Sequence, residues 1–186
     1  MSRLYEYLRA IRRHLLGFAL RIYLYSTGCK VGKDLRCLGF PVFRDIPHGN
    51  IQLGDRVVIG KGVVFEINRN GSLHLGDEVV IGDGVRLSSA GRIQIGDWSG
   101  VAEHSSLRGS FHKLERNRPY MQQGDTVADI IIGKDALIGA HCVVLQGSEI
   151  PDGAVIGALS LVSKSDKLHA YGIFAGSPIK HIRDRT

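Results

Sequence analysis

The chain has 186 residues, with 24 Lys and Arg against 18 Asp and Glu for a formal charge of +6, and 44% of it is hydrophobic with 24 glycines. That length and apolar share fit one domain with a usable core and exclude a disordered polymer, while the glycine count suits a loop-dense repeat. Cys29, Cys37 and Cys142 have no CxxC spacing, so neither a disulfide framework nor a zinc knot is indicated, and a reducing cytoplasm is the expected location.

Ser2 can cap a first helix running to about Tyr25, with Leu4, Leu8, Ile11, Leu15, Phe18 and Ile22 at helical spacing and Gly28 as its stop. This segment, residues 1–28, holds much of the excess charge: Arg3, Arg9, Arg12, Arg13 and Arg21 stand against Glu6 alone within 1–25. Its longest apolar run, Leu15 to Leu20, is far short of the ~20 residues that span a bilayer. No small-residue cleavage site follows, so secretion is not expected. Two readings stay open for the helix. It can lid the open end of a coil, or it can anchor residues 1–25 peripherally on anionic lipid at the inner face of the membrane, as Arg12, Arg13 and the tyrosines Tyr5, Tyr7, Tyr23 and Tyr25 favour. Nucleic acid is not an expected partner, because net charge is unaccompanied by aromatic–basic interleaving or by a motif.

A six-residue apolar beat begins weakly at Val31, Cys37 and Phe43. It then restarts under one signature at Ile51-Gln52-Leu53-Gly54-Asp55, Leu73-His74-Leu75-Gly76-Asp77, Ile93-Gln94-Ile95-Gly96-Asp97 and Ile130-Ile131-Ile132-Gly133-Lys134. Within these stretches the inward residues run Leu53, Ile59, Phe65, then Leu75, Ile81, Leu87, then Ile95, Val101, Leu107, and the last stretch continues Ile132, Ile138, Val144, Ile150, Ile156, Val162. A period of six fits neither a helix nor an alternating strand. It predicts an all-β solenoid, a parallel β-helix over 29–164, in which three six-residue units close one coil and no coil is stable without its neighbours.

The first two intervals between restarts are 22 and 20 residues and the third is 37. The excess lies at about 108–129, which has no beat and carries His112, Pro119, Tyr120 and several charges. An insertion in a solenoid is extruded at one corner and usually marks the binding face. The tail, 165–186, loses the beat and turns at Gly176 and Pro178 before Lys180, Arg183 and Arg185.

The Ile131–Gly147 and Ile156–Asp166 coils, the ending Ala175-Gly176-Ser177-Pro178-Ile179-Lys180-His181-Ile182 and the extruded loop with its His resemble the hexapeptide-repeat acyltransferases, in the branch similar to maltose, galactoside and xenobiotic O-acetyltransferases and polysaccharide-biosynthesis acetyltransferases. The resemblance covers roughly Leu53 to Arg183. It implies a left-handed coil, a homotrimer with active sites between subunits, and acetyl-CoA lying in a groove between coils, with no metal expected. Under it His112 stands at the catalytic His. Ala140 and Ala158 match small residues along the pantetheine arm, Ser163 and Lys164 a Thr-Lys pair beside that arm, and Lys180 and Arg183 basic residues near the nucleotide phosphates. Two positions depart from the pattern: Ala136, where many relatives have Trp, which would reshape the acceptor end, and Ser177 in place of Asn in the final turn.

Acetyl transfer from a thioester to a hydroxyl needs a base, and an imidazole with an ordinary pKa of ~6.5 suits that task. The expected reaction is acetyl-CoA-dependent O-acetylation of a small-molecule or lipid-linked sugar in surface polysaccharide or lipopolysaccharide synthesis. N-acetylation of an amino-sugar stays open, since the same base and thioester serve it. His112 is the expected base, its second ring nitrogen oriented by a backbone carbonyl or a carboxylate for which Glu103 is a candidate. A backbone N–H near Ala140 or Ala158 is the expected oxyanion donor. Cys142 reads as a small buried residue, because no base is paired with it at motif spacing. A zinc hydrolyase of the β-helical carbonic anhydrase kind would need histidines to converge from among His74, His104, His112 and His141; a non-catalytic scaffold is the remaining alternative.

Overall fold

The structure is a computed structural model that describes residues 3–186. Ser2, the expected cap, lies outside the described residues. The first element, α1, runs Arg3–Ser26, and after it the chain winds as a parallel β-solenoid of about seven turns. Its three faces are a six-stranded sheet, an eight-stranded sheet and a second six-stranded sheet. The restarts read in the sequence pair in the structure: Ile51 lies on Leu73, Leu73 on Ile93 and Ile93 on Ile130, all in parallel register.

The inward beat is the core. Leu53, Ile59 and Phe65 are buried, as are Leu75, Ile81 and Leu87, and the stack continues to Val162. Every coil adds a second inward residue two positions before the first, which the six-residue beat alone does not reveal. Early coils fill it with Val57, Val63, Val79 and Val85, and later ones with Ser99, Ser105, Ala136, Cys142, Ala154 and Ser160. Ala136 therefore points into the core, with its N–H donating to Ser99 Oγ at 3.0 Å. Trp98, two residues after Gly96, is the exposed aromatic at that corner.

The Gly-Asp signature has a physical cause at the corner between the first and second faces. Asp55, Asp77 and Asp152 each accept the N–H of the residue one coil earlier, Lys33, Asp55 and Lys134 in turn, at 2.7 Å, and Asp97 accepts that of Asp77 at 3.0 Å. Gly76 precedes such a corner because a Cβ there would collide with the Asp97 carboxylate below it. The Lys134 ammonium, 2.8 Å away, together with the Asp77 N–H, holds the Asp97 carboxyl below the usual carboxylate range.

α1 crosses the open end of the first coil. Leu20 and Leu24 are fully buried there, and a Cβ on Gly17 would fall on the Leu35 carbonyl, so the helix backbone lies directly against the coil. The lid role is thus what this face of the helix does. At the other end, Gly172–Ala175 pairs in parallel with Val155–Ile156 and buries Phe174, so inward packing continues past residue 164. Lys180–Asp184 then returns antiparallel along it.

Candidate active site

The insertion leaves the third face after Ser106–Arg108 and returns to the first face at Ile130. It is an ordered ribbon: Ser110–His112 pairs antiparallel with Asp125–Val127, and a 3-10 turn at Tyr120–Gln122 closes its tip. Gln123, buried within the loop, accepts the Glu115 N–H at 2.7 Å and donates to the carbonyls of Glu115 at 2.8 Å and Arg118 at 2.6 Å, which draws the tip into one compact turn. At the base, Gln146 Nε2 donates to Thr126 Oγ1 at 2.6 Å, and that hydroxyl donates to the Phe111 carbonyl at 3.0 Å.

His112 and Asp125 are direct cross-strand partners in this ribbon, and their side chains meet with Nδ1 2.7 Å from Oδ1. A carboxylate accepts only, so Nδ1 carries the proton and Nε2 is left as the free lone pair. The Tyr120 ring lies beside the imidazole with centroids 5.4 Å apart. The orienting group is therefore Asp125. Glu103 sits at the corner between the second and third faces, where its carbonyl accepts the His141 N–H, and it does not reach the ribbon.

The other expected site residues fall at two corners. Ser163 and Lys164, with Arg108, Phe111, Leu145 and Gln146, line a cleft of about 270 Å³ at the foot of the ribbon. Side chains alternate across a strand, so Phe111 faces this cleft while His112 faces the other side. Ala140 and Ala158 lie at the preceding corner, stacked in successive coils with the Leu159 N–H donating to the Ala140 carbonyl at 2.9 Å. The final turn abuts the same corner, since Gly176 N–H donates to Ser160 Oγ at 2.9 Å, and it brings Lys180 there at the start of the last strand. Arg183, farther along that strand, pairs with Ile173 and stands apart from both groups. Within one chain, then, His112 does not share a pocket with the expected coenzyme residues.

Cys142 is fully buried, its thiol donates to the Gly157 carbonyl at 3.1 Å, and burial raises its pKa. Of the four histidines a zinc hydrolyase would draw on, His104 and His141 stack with centroids 5.1 Å apart at one corner, while His74 lies on the first face and His112 on the ribbon. Among the described residues the grouping with metal-ligand spacing is instead His169, from the loop before Gly172–Ala175, with His181 and Asp184 on the last strand, all exposed. Both imidazoles lie 2.8 Å from one Asp184 oxygen, and His169 and then His181 hold that carboxyl below its usual range.

Residues 129–158 match the family model described as the hexapeptide repeat of succinyl-transferase. Over that stretch the chain is similar to the hexapeptide repeat of that family. A chloramphenicol acetyltransferase of Agrobacterium fabrum is 42% identical over 66 residues, which are 36% of this chain and 29% of that protein, so the chain spans under a third of that relative's length. The structure of AntD, an N-acyltransferase from Bacillus cereus in complex with dTDP and 3-hydroxybutyryl-CoA, superimposes with a TM-score of 0.75 at 20% identity, over 89% of this chain and 88% of that one. Galactoside acetyltransferase in complex with coenzyme A gives a TM-score of 0.56 at 19% identity, over 91% and 80%. The hexapeptide-repeat solenoid here shares the left-handed winding of those folds.

Of the ribbon residues, neither Asp125 nor Phe111 is marked out by the sequence. The one signal for Asp125 is that Asp125-Thr126-Val127 can pair with Ser110-Phe111-His112 as a hairpin, and the twelve intervening residues obscure it.

Proposed function

We propose that this chain is an acetyl-CoA-dependent O-acetyltransferase acting on a carbohydrate hydroxyl, free or lipid-linked, in surface polysaccharide or lipopolysaccharide synthesis. The observation that carries the reading is the His112–Asp125 pair on a rigid ribbon projecting from a hexapeptide-repeat coil. Nε2 takes the proton of the acceptor hydroxyl as its oxygen attacks the acetyl carbonyl, the Asp125 carboxylate stabilises the imidazolium that forms, and as the C–S bond breaks the imidazolium returns that proton to the departing coenzyme thiolate. The coenzyme supplies the acetyl thioester. Its fit is supported by the cleft at the ribbon's foot, where Phe111 and Leu145 offer apolar walls and Arg108 and Lys164 offer cations. Gln146 Oε1 is buried there without a partner, an acceptor free for an amide N–H of a pantetheine arm.

The same reading calls for a homotrimer. His112 stands on the far side of the ribbon from its own chain's Ser163 and Lys164, so a site formed against a neighbouring subunit would join the base to a coenzyme groove. Ala140, Ala158 and Lys180 lie together at the next corner and suit that groove. A second reading, N-acetylation of an amino-sugar, draws support from the greater fold likeness to AntD than to the galactoside enzyme, 0.75 against 0.56.

The test is release of free thiol from acetyl-CoA across a panel of sugars and amino-sugars, with products identified by mass. An O-acetyl ester is cleaved by mild alkali and an amide survives it. Ester products lost in His112→Ala support the reading; amide products move it to the amino-sugar, and no turnover with any acceptor together with no calorimetric binding of coenzyme A would overturn it.

A further inference from the structure

Capping the coil uses only one side of α1. Gly17, Leu20 and Leu24 face the first coil, and about half a turn away Leu8, Ile11, Leu15, Phe18 and Ile22 form a stripe about 80° wide that faces outward. These are not grazing exposures: Leu15 is 64% exposed, Phe18 63% and Leu8 55%. A helix that only lids a solenoid needs a polar outer face for solubility, and this one is apolar on both sides.

Charge flanks the stripe. Arg3 and Arg21 run along one edge, and Arg12 and Arg9 along the other. Among the described residues none of the helix's five arginines lies within ion-pair distance of a carboxylate. Arg9, Arg12 and Arg13 converge with Lys61 on a cleft of about 260 Å³ whose single acid is Asp83. Tyr7, exposed, sits between the stripe and Arg3, where an amphipathic ring suits a headgroup layer, while the Tyr25 hydroxyl donates to the Val31 carbonyl of the first coil at 2.6 Å. No described helix is long and apolar enough to cross a membrane.

We infer that α1 is an interfacial helix that lays its outer stripe into an anionic lipid surface, with the Arg9–Arg12–Arg13–Lys61 cleft taking a lipid phosphate. A second copy of the chain is the less suited occupant, since a self-complementary contact would set these unpaired arginines against one another. The inference is independent of the acetyltransferase reading, because it uses no residue of the ribbon.

The experiment is flotation of the full chain with vesicles of phosphatidylcholine alone or mixed with phosphatidylglycerol, at low and high salt. The expected result is association with the anionic vesicles only, weakened by salt. Leu15→Ser with Phe18→Ser should lower partitioning at least about tenfold. Arg9→Gln and Arg12→Gln should each lower it roughly fivefold. Leu15 and Phe18 lie on the exposed outer face, so thermal melting and circular dichroism of that variant should be unchanged, which separates lost binding from lost fold. Equal behaviour toward neutral and anionic vesicles, or wild-type partitioning by the Leu15/Phe18 variant, would overturn the inference. So would a fall in oligomer mass of that variant by light scattering with vesicle binding unchanged, which would assign the stripe to a contact between copies.

Discussion

Replacing Asp125 by Asn keeps the shape of the carboxylate and removes its charge, so the variant asks what that charge does for His112. When His112 takes a proton, the imidazolium and carboxylate become an ion pair with Nδ1 and Oδ1 at 2.7 Å. Charges about 4 Å apart interact by about 1 kcal/mol in bulk water and by about 4 kcal/mol at an effective dielectric of 20. His112 and Asp125 are 53% and 45% exposed, which places the pair toward the aqueous limit, at about 1–2 kcal/mol. That corresponds to a loss of about 5- to 30-fold in kcat, whereas His112→Ala, which removes the base, should lose about 10²–10⁴-fold. In both variants KM for acetyl-CoA should stay near wild type, since the contribution arises in the transition state. Asp125 acts through His112, so the double variant should be no slower than His112→Ala alone. The assay is the initial rate of thiol release from acetyl-CoA with the acceptor saturating. Multiplicative losses in the double variant, or an Asp125→Asn enzyme as slow as His112→Ala, would refute the orienting role.

Ser105→Ala should destabilise the fold by about 1–3 kcal/mol in urea denaturation, because Ser105 Oγ donates to the Gly139 carbonyl at 2.7 Å and accepts the Cys142 N–H at 3.0 Å, leaving two backbone groups unpaired. Ser99→Ala should match it, since Ser99 makes the same two bonds to Gly133 and Ala136. Burial pushes the Cys37 thiol from 9.0 up to about 12. The folded state thus keeps a proton that the unfolded chain releases, so its contribution is complete below pH 9.0 and is lost as pH rises toward 12; the stability difference between wild type and Cys37→Ala, read by urea melts across that range, should shrink accordingly. Asp184 has the opposite sign. Its carboxyl is held below 3.8 by His169 and His181, so its two contacts to those imidazoles are complete above that pH and are lost as pH falls below it, and amide exchange in Lys180–Asp184 should accelerate there in wild type with Asp184→Asn showing no such step.

The coil was legible in the chain down to its register, since Ile51, Leu73, Ile93 and Ile130 mark the same place in successive coils and pair there. Apolar period reports burial directly, and burial in a solenoid repeats with the winding. The second inward stripe was not legible, because in the later coils its valines give way to Ser99, Ser105 and Ala136; the serines sit inside because their hydroxyls bond the backbone of the adjacent coil. Ala136 is the consequence: its position in the pattern suggested an acceptor pocket, and the pleat turns it inward.

Residues 1–25 declared a helix with apolar and basic positions interleaved, yet a lid and an anchor predict the same spacing. Only the packed structure shows that Leu20 and Leu24 carry the lid while Leu15 and Phe18 remain outside. For the candidate site, His112 was identifiable from its place in an insertion that breaks the beat. Its partner Asp125, and the separation of Ser163 and Lys164 from Ala140 and Ala158 onto different corners, depend on how a hairpin closes and on which corner it leaves. The sequence by itself therefore determined the register of the coil and the site of extrusion, because these follow from local periodicity and from its interruption, and it offered His112 as the candidate base. The tertiary structure decided who faces whom, because partners across a loop or around a coil are set by closure and stacking, which leave no period in the chain.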